Sequence, residues 1–237
     1  AKLSKRNGDA SFEDLVAKGY LSEAIINYIA LLGWAPKGER EIYSLEELKQ
    51  EFDIEGLSKS PSIFDPLKLR AINGEFIRML TPEKFLEYAT PYIRESVKRE
   101  DVDLSKISAL LQNRTEVFTD IPEQVDFIDE MPNYDLALYE NKKMKTNCDT
   151  ALDALTRSLP VMEAIEDWRF DVLHDALFKL IADMGVKNGY VLWPVRVAIS
   201  GKQFTPGGAF EIAEIIGKDD TIARMKRSIE LLKNSAN

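Results

Sequence analysis

Helix-start signals recur along this chain at short intervals, and they constrain its fold more than any other feature. Ser11 stands three residues before Asp14, and Ser44 three before Glu47. Each pair can satisfy the N–H groups that the first turn of a helix leaves open. Asp65-Pro66 sets a cap before a first-turn proline, and Thr81-Pro82-Glu83 repeats the device. The apolar spacing between these signals follows a period near 3.6 residues, so the chain reads as mostly all-α. Gly19 closes a first short helix. A second, from about Ser22 to Gly33, carries Ile25, Ile26, Tyr28, Ile29, Leu31 and Leu32 and reads as apolar over most of its circumference. The helix opened by Ser44 runs to about Phe52. The one opened by Asp65 turns Leu67, Leu69, Ile72, Phe76, Ile77 and Leu80 inward, with Asn73-Gly74 interrupting it.

Beyond Leu80, Pro91 is expected to end or kink the helix begun at Thr81, with Ile93 to Val97 starting the next. Short helical segments are expected at Ile107–Leu111, Glu123–Met131 and Leu136–Tyr139. Longer ones are expected at Thr150–Leu159, Phe170–Met184, Phe210–Ile216 and Thr221–Leu232, punctuated by Gly185, Gly201, Gly207-Gly208 and Gly217. Val191 to Ile199 is rich in β-branched residues and fits either a short strand or an apolar helix. Boundaries near Leu80 and within the lysine-rich Asn141 to Asn147 stretch divide the chain into 1–80, 81–146 and 147–237.

Composition narrows the function classes. The 237 residues are 45% hydrophobic, enough for ample core, yet no apolar run reaches the roughly 18 residues a membrane helix needs. No apolar stretch follows the basic N-terminus as a secretory signal would require. The single cysteine, Cys148, cannot form an internal disulfide, and the expected compartment is the reducing cytoplasm. One histidine, His174, without a thiol pair, gives no metal site; both residues read as structural. The net charge of −9 argues against a wholly basic nucleic-acid coat. Charge is unevenly placed, however: residues 101–160 hold 6 basic against 12 acidic side chains, and residues 61–100 hold 7 against 6. A basic face therefore has room to form from Arg94, Lys98 and Arg99, from Lys142-Lys143-x-Lys145, or from Arg196, Lys202, Arg224, Lys226 and Arg227.

The N-terminal Lys2-Leu3-Ser4-Lys5-Arg6 resembles the mobile ATP loop (KMSKS) of class I aminoacyl-tRNA synthetases. The residues that follow sharpen the resemblance to bacterial-type glutamyl-tRNA synthetases. They are Asn7 to Phe12, Gly19 to Ala24, Asn27 to Trp34, Tyr43 to Leu48, Leu57 to Pro61, Phe64-Asp65 and the late Trp193-Pro194-Val195-Arg196-Val197-Ala198-Ile199-Ser200-Gly201. The match is dense to about Arg78, thin to about Arg169, and recovers near the end. It implies a stem-contact domain over 1–80 that carries the ATP loop, followed by two helical anticodon-binding domains over 81–146 and 147–237. It implies Mg-ATP as the cofactor of the intact enzyme, the tRNA for glutamate as partner, and a monomer. Lys5 takes the catalytic role: an ammonium aimed at the pyrophosphate charge that builds in the transition state lowers the barrier. Lys2, Leu3, Ser4 and Arg6 complete the ATP loop, Arg6 standing where the motif ends in serine. Helices throughout favour the glutamyl member over the related glutaminyl enzymes, which end in β-barrels.

A second class I signature, His-x-Gly-His, cannot be present, because His174 is followed by Asp175-Ala176. No glycine-rich turn of a nucleotide-binding half is found either. The chain is therefore expected to be the C-terminal half of a longer enzyme, lacking its N-terminal catalytic domain and inactive in forming glutamyl-adenylate alone. The rival readings are a non-catalytic helical adaptor that binds protein and a self-sufficient enzyme. Residues expected to touch tRNA are Ser58, Lys59, Ser60, Arg196, Lys202, Arg224 and Arg227. Ser58 to Pro61 fits a phosphate contact and a capped turn equally, and Arg196 fits an acidic partner or the anticodon arm. Trp193 and Phe204 are candidates to stack on unpaired anticodon bases, with packing the competing role for Trp193.

Overall fold

The computed structural model describes residues 11–58 and 63–235. Among the described residues there is no β-sheet, only two isolated bridges, Trp34 with Leu57 and Asn141 with Thr146. The expected helical fold class is what is found. The chain forms two compact units. One takes the described residues up to Ile93 together with Ser108–Pro122; the other takes Arg94–Ile107 and the described residues from Glu123 onward.

In the first unit, α1 (Phe12–Ala17) is opened by the Ser11/Asp14 capping box, and α2 (Ser22–Gly33) follows. The Ser44/Glu47 box opens α3 (Leu45–Glu51), and Asp65 caps α4 (Pro66–Met79) by accepting from Leu67 and Lys68 N–H. Leu15, Ile25, Tyr28, Leu69, Ile72 and Phe76 form the core between α1, α2 and α4. Trp34 packs on Tyr43 and Leu48 beside it. Two apolar positions expected inside point outward: Ile29 is 52% exposed and Leu67 75%. Both lie off the stripe set by their helix's buried residues, since the apolar face is narrower than the apolar content suggests.

Asn73-Gly74 does not interrupt α4. The fully buried Asn73 side chain accepts from Leu21 N–H at 2.8 Å and donates to Glu116 carbonyl at 2.5 Å, joining three segments. Asn27 does the same in α2, donating to Glu41 carbonyl and accepting from Tyr43 N–H, both at 2.7 Å. These two asparagines satisfy loop backbone that the core would otherwise strand without water.

Pro91 likewise does not end its helix: α5 runs unbroken from Pro82 to Ser96. Thr90 Oγ1 donates to Leu86 carbonyl at 2.6 Å, supplying a side-chain bond in the turn where proline removes a backbone one. The chain passes out of the first unit within α5, back within α6 (Leu104–Leu111), and out again in α7 (Ile121–Val125). The helix expected over Glu123–Met131 stops at Val125, where the Phe127 and Ile128 carbonyls turn instead toward a buried arginine.

The second unit is built from α8 (Cys148–Glu163), α9 (Phe170–Met184), α10 (Asn188–Ser200), α11 (Ala209–Ile216) and α12 (Lys218–Ser235). The β-branched stretch 191–199 is helical, the core of α10. Val191, Val195, Val197, Ala198 and Ile199 are buried because α8, α9, α11 and α12 all pack on this one helix. Burial on several faces, rather than strand pairing, explains its lack of polar alternation.

Candidate nucleic-acid interface

The loop that leaves α10 is tied down by several hydrogen bonds of its own. Gly201 ends the helix in the left-handed region, φ +64°, and a Cβ there would stand 3.1 Å from the Tyr134 ring and 3.2 Å from Pro132 carbonyl. Glycine alone meets both demands without strain. The loop then folds back over Arg196, one turn before the helix end. Arg196 donates to Thr205 Oγ1 and to Gln203 carbonyl, each at 2.8 Å, and its guanidinium lies 4.5 Å over the Trp193 ring. Burial pushes the Arg196 pKa down from its ordinary value. Trp193 is anchored in turn by donating Nε1–H to Leu138 carbonyl at 2.9 Å. Thr205 passes a hydrogen bond on to Gly207 carbonyl, and Lys202 pairs with Asp126 at 2.9 Å.

This framework carries Phe204, which is 82% exposed. An aromatic ring held in water on a loop with so many internal bonds is left largely uncovered by its own fold. Its apolar faces are available to another flat ring, and the backbone beneath it is already ordered, so little entropy is lost when one arrives. Trp193, by contrast, supports the loop through its cation–π contact with Arg196 while its own hydrogen bond ties it to Leu138.

The other residues expected to face RNA fall in different settings. Lys2, Leu3, Ser4, Lys5 and Arg6 lie outside the described residues, as do Lys59 and Ser60. Ser58 is exposed, with its N–H on Gly33 carbonyl at 2.9 Å. Arg227 is exposed on α12 and donates to Asn133. Arg224, one turn earlier, is only 5% exposed. Its guanidinium donates to the carbonyls of Phe127, Ile128 and Ile199 and to both oxygens of Asp220, at 2.7–2.9 Å. Every donor of that fork is held by this fold, so Arg224 acts inside it. Arg94 and Arg99 are half-buried, and Lys98, though exposed, is also engaged within the fold. Arg94 and Lys98 donate to backbone carbonyls, and Arg99 pairs with Asp101 and Asp220.

His174 is half-buried on α9. Its ring stacks on Phe178 with centroids 4.2 Å apart, and Nδ1 lies 3.0 Å from Asp175. Among the described residues no group of acidic, histidine or cysteine side chains could hold a metal ion. Burial pushes the Cys148 thiol pKa up, helped by the nearby acids Glu140, Asp149 and Asp135, which disfavours a nucleophilic thiolate. Among the described residues no helix is long and apolar enough to cross a membrane.

Comparison with known proteins shows what the chain is similar to. Residues 84–229 match the family model described as anticodon binding domain, and residues 1–71 match that of tRNA synthetases class I (E and Q), catalytic domain. The glutamate–tRNA ligase of Clostridium acetobutylicum is 56% identical over 233 residues, covering 98% of this chain and 48% of the relative. That of Clostridium tetani is 56% identical over 237 residues, covering 100% and 48%. The chain thus spans about half the length of the curated relatives it matches. Among solved structures, a glutamate tRNA ligase from Elizabethkingia meningosepticum in complex with its amino acid aligns with a TM-score of 0.81 at 27% identity, over 98% of this chain and 49% of the other. The resemblance first read from the N-terminal and Trp193–Gly201 segments is therefore carried by the whole chain: it belongs to the anticodon-binding-domain family, and its homologues are glutamate–tRNA ligases.

Proposed function

We propose that this chain is the tRNA-docking half of a glutamate–tRNA ligase, the enzyme that joins glutamate to its tRNA with ATP by way of glutamyl-adenylate. Residues 1–80 contact the tRNA stem and carry the ATP loop. Residues 81–146 and 147–237 grip the anticodon arm. Lys5, with Lys2, Leu3, Ser4 and Arg6, acts on Mg-ATP only when the catalytic domain of the same protein is present. The chain alone forms no adenylate and works as a cytoplasmic monomer. Ser58, Lys59 and Ser60 meet stem phosphates, and Lys202 and Arg227 meet the anticodon arm.

The observation that carries the reading is Phe204, exposed on a loop that Arg196 holds in place within a region matching an anticodon-binding family. Anticodon bases are unpaired and present π-faces, so a fixed aromatic ring is a fitting receptor. Arg196 serves as a positioning residue, acting on RNA through the loop. Titration of the chain with the tRNA for glutamate tests the proposal. Saturable binding that weakens steeply with salt supports it. A chain that binds no tRNA at any salt concentration is the protein-binding adaptor instead. ATP–pyrophosphate exchange by this chain alone would overturn its inactivity.

A further inference from the structure

A second basic surface lies where two segments distant in sequence meet. The turn after Tyr139 is closed by paired backbone hydrogen bonds between Asn141 and Thr146, both 3.1 Å. Asn141 Oδ1 accepts from Lys143 and Met144 N–H at 3.0 and 3.1 Å, and Lys145 takes a left-handed backbone, φ +57°. Met144 seats this turn on the start of α10: a Cβ at Gly189 would collide with Met144 Sδ. The result is a cleft of about 380 Å³ lined by Lys143, Met144, Lys187, Asn188 and Gly189.

Lys143 and Lys187 line that cleft, and Lys142 and Lys145 share its turn. All four are exposed. None of the four side chains makes an ion pair or hydrogen bond with the described residues. Elsewhere in the same unit most lysines are engaged: Lys202 pairs with Asp126, Lys226 with Glu163 and Lys106 with Glu214, while Lys218 donates to Glu163 and Ile165 carbonyls. Glu140 and Asp149 flank the turn but form no ion pair with these lysines, and in a chain of net charge −9 two unpaired cations lining one cleft, with two more on its turn, point to an anion from outside.

We infer that this cleft seats backbone phosphates of the tRNA, a contact separate from base reading at Phe204. The inference rests on the proposed tRNA-docking role. Lysine ammoniums are compact point charges suited to phosphodiester oxygens, whereas a carboxylate-bearing protein partner is best met by arginine forks, which the cleft lacks. Its single apolar lining residue, Met144, is occupied in seating the turn, so the cleft offers no anchor for an apolar partner. Because the turn is fixed by its own hydrogen bonds, the lysine stems start from an ordered base.

The test is binding of the full chain to the tRNA for glutamate across a salt series. Wild type is compared with the Lys143→Gln/Lys187→Gln double variant and with Lys179→Gln, an exposed lysine on α9, as control. Thermal melts confirm that each variant folds. Removing two phosphate contacts should reduce the slope of log affinity against log salt by roughly 1 to 2. The control slope stays unchanged, and a tRNA with altered anticodon bases loses affinity by the same factor as the natural one. A double variant with the wild-type slope, or a loss confined to one anticodon, overturns the inference while leaving the docking role intact. Wild-type chain that binds no tRNA removes both.

Discussion

The guanidinium of Arg196 lies 4.5 Å over the indole of Trp193 while its nitrogens hold Gln203 carbonyl and Thr205 hydroxyl, so one α10 side chain sets the shape of the loop that bears Phe204. This relationship separates two kinds of residue. Phe204 is outside the fold's own energetics, and Arg196 is inside them.

Phe204→Ala should therefore leave the melting temperature within about a degree of wild type while weakening tRNA binding by about 1–3 kcal/mol, the range for loss of one base–aromatic stack. Arg196→Lys keeps the charge but loses the fork, and should lower both stability and tRNA affinity. Calorimetry and anisotropy titration on the same preparations separate the two patterns.

Arg224 and Arg227 sit three residues apart on α12 and should behave oppositely. Arg224→Met leaves three buried carbonyls without donors, and a cost of about 3 kcal/mol in urea unfolding is expected. Arg227→Gln touches only Asn133 and should change stability by no more than about 0.5 kcal/mol. Equal losses in both variants would contradict the internal role assigned to Arg224.

Asn73→Ala strands Leu21 N–H and Glu116 carbonyl in the first unit. Loss of about 1–3 kcal/mol per stranded group is expected, and Asn73→Asp, which cannot donate to the carbonyl when ionised, should not restore it. Chemical denaturation of the three proteins measures this.

Glu47 carries a pH signature. The hydrogen bond from Arg40, followed by the Ser44 N–H, lowers its carboxyl to about 2 from an ordinary 4.5. A carboxyl depressed in the folded state contributes stability fully above pH 4.5, and that contribution fades as pH falls toward 2. Arg40→Gln should move the Glu47 titration up, part of the way toward 4.5, since the Ser44 bond remains. Carboxyl NMR titration reads this directly, and an unmoved midpoint would assign the depression to Ser44 alone.

The helix starts were legible in the sequence because capping is local: Ser11 with Asp14, Ser44 with Glu47 and Asp65-Pro66 satisfy the first turn with residues two or three positions away. What sequence spacing missed was settled by distant partners. Asn73-Gly74 has the look of a break, yet Asn73 is held by Leu21 and Glu116. Pro91 has the look of a stop, yet the helix continues through it. Nothing in spacing distinguishes Arg224 from Arg227, because the carbonyls that bury the first come from residues 127, 128 and 199. Lys143 was visible as part of a basic run, but its neighbour Lys187 was not, since only the seating of Met144 on Gly189 brings them to one cleft.

Nuclease or chemical footprinting of this chain on the tRNA for glutamate is the most direct test of its role. The account predicts protection of the anticodon loop that is lost with Phe204→Ala. An anticodon loop as reactive with the chain as without it, under conditions where the chain is folded and in excess, would contradict it.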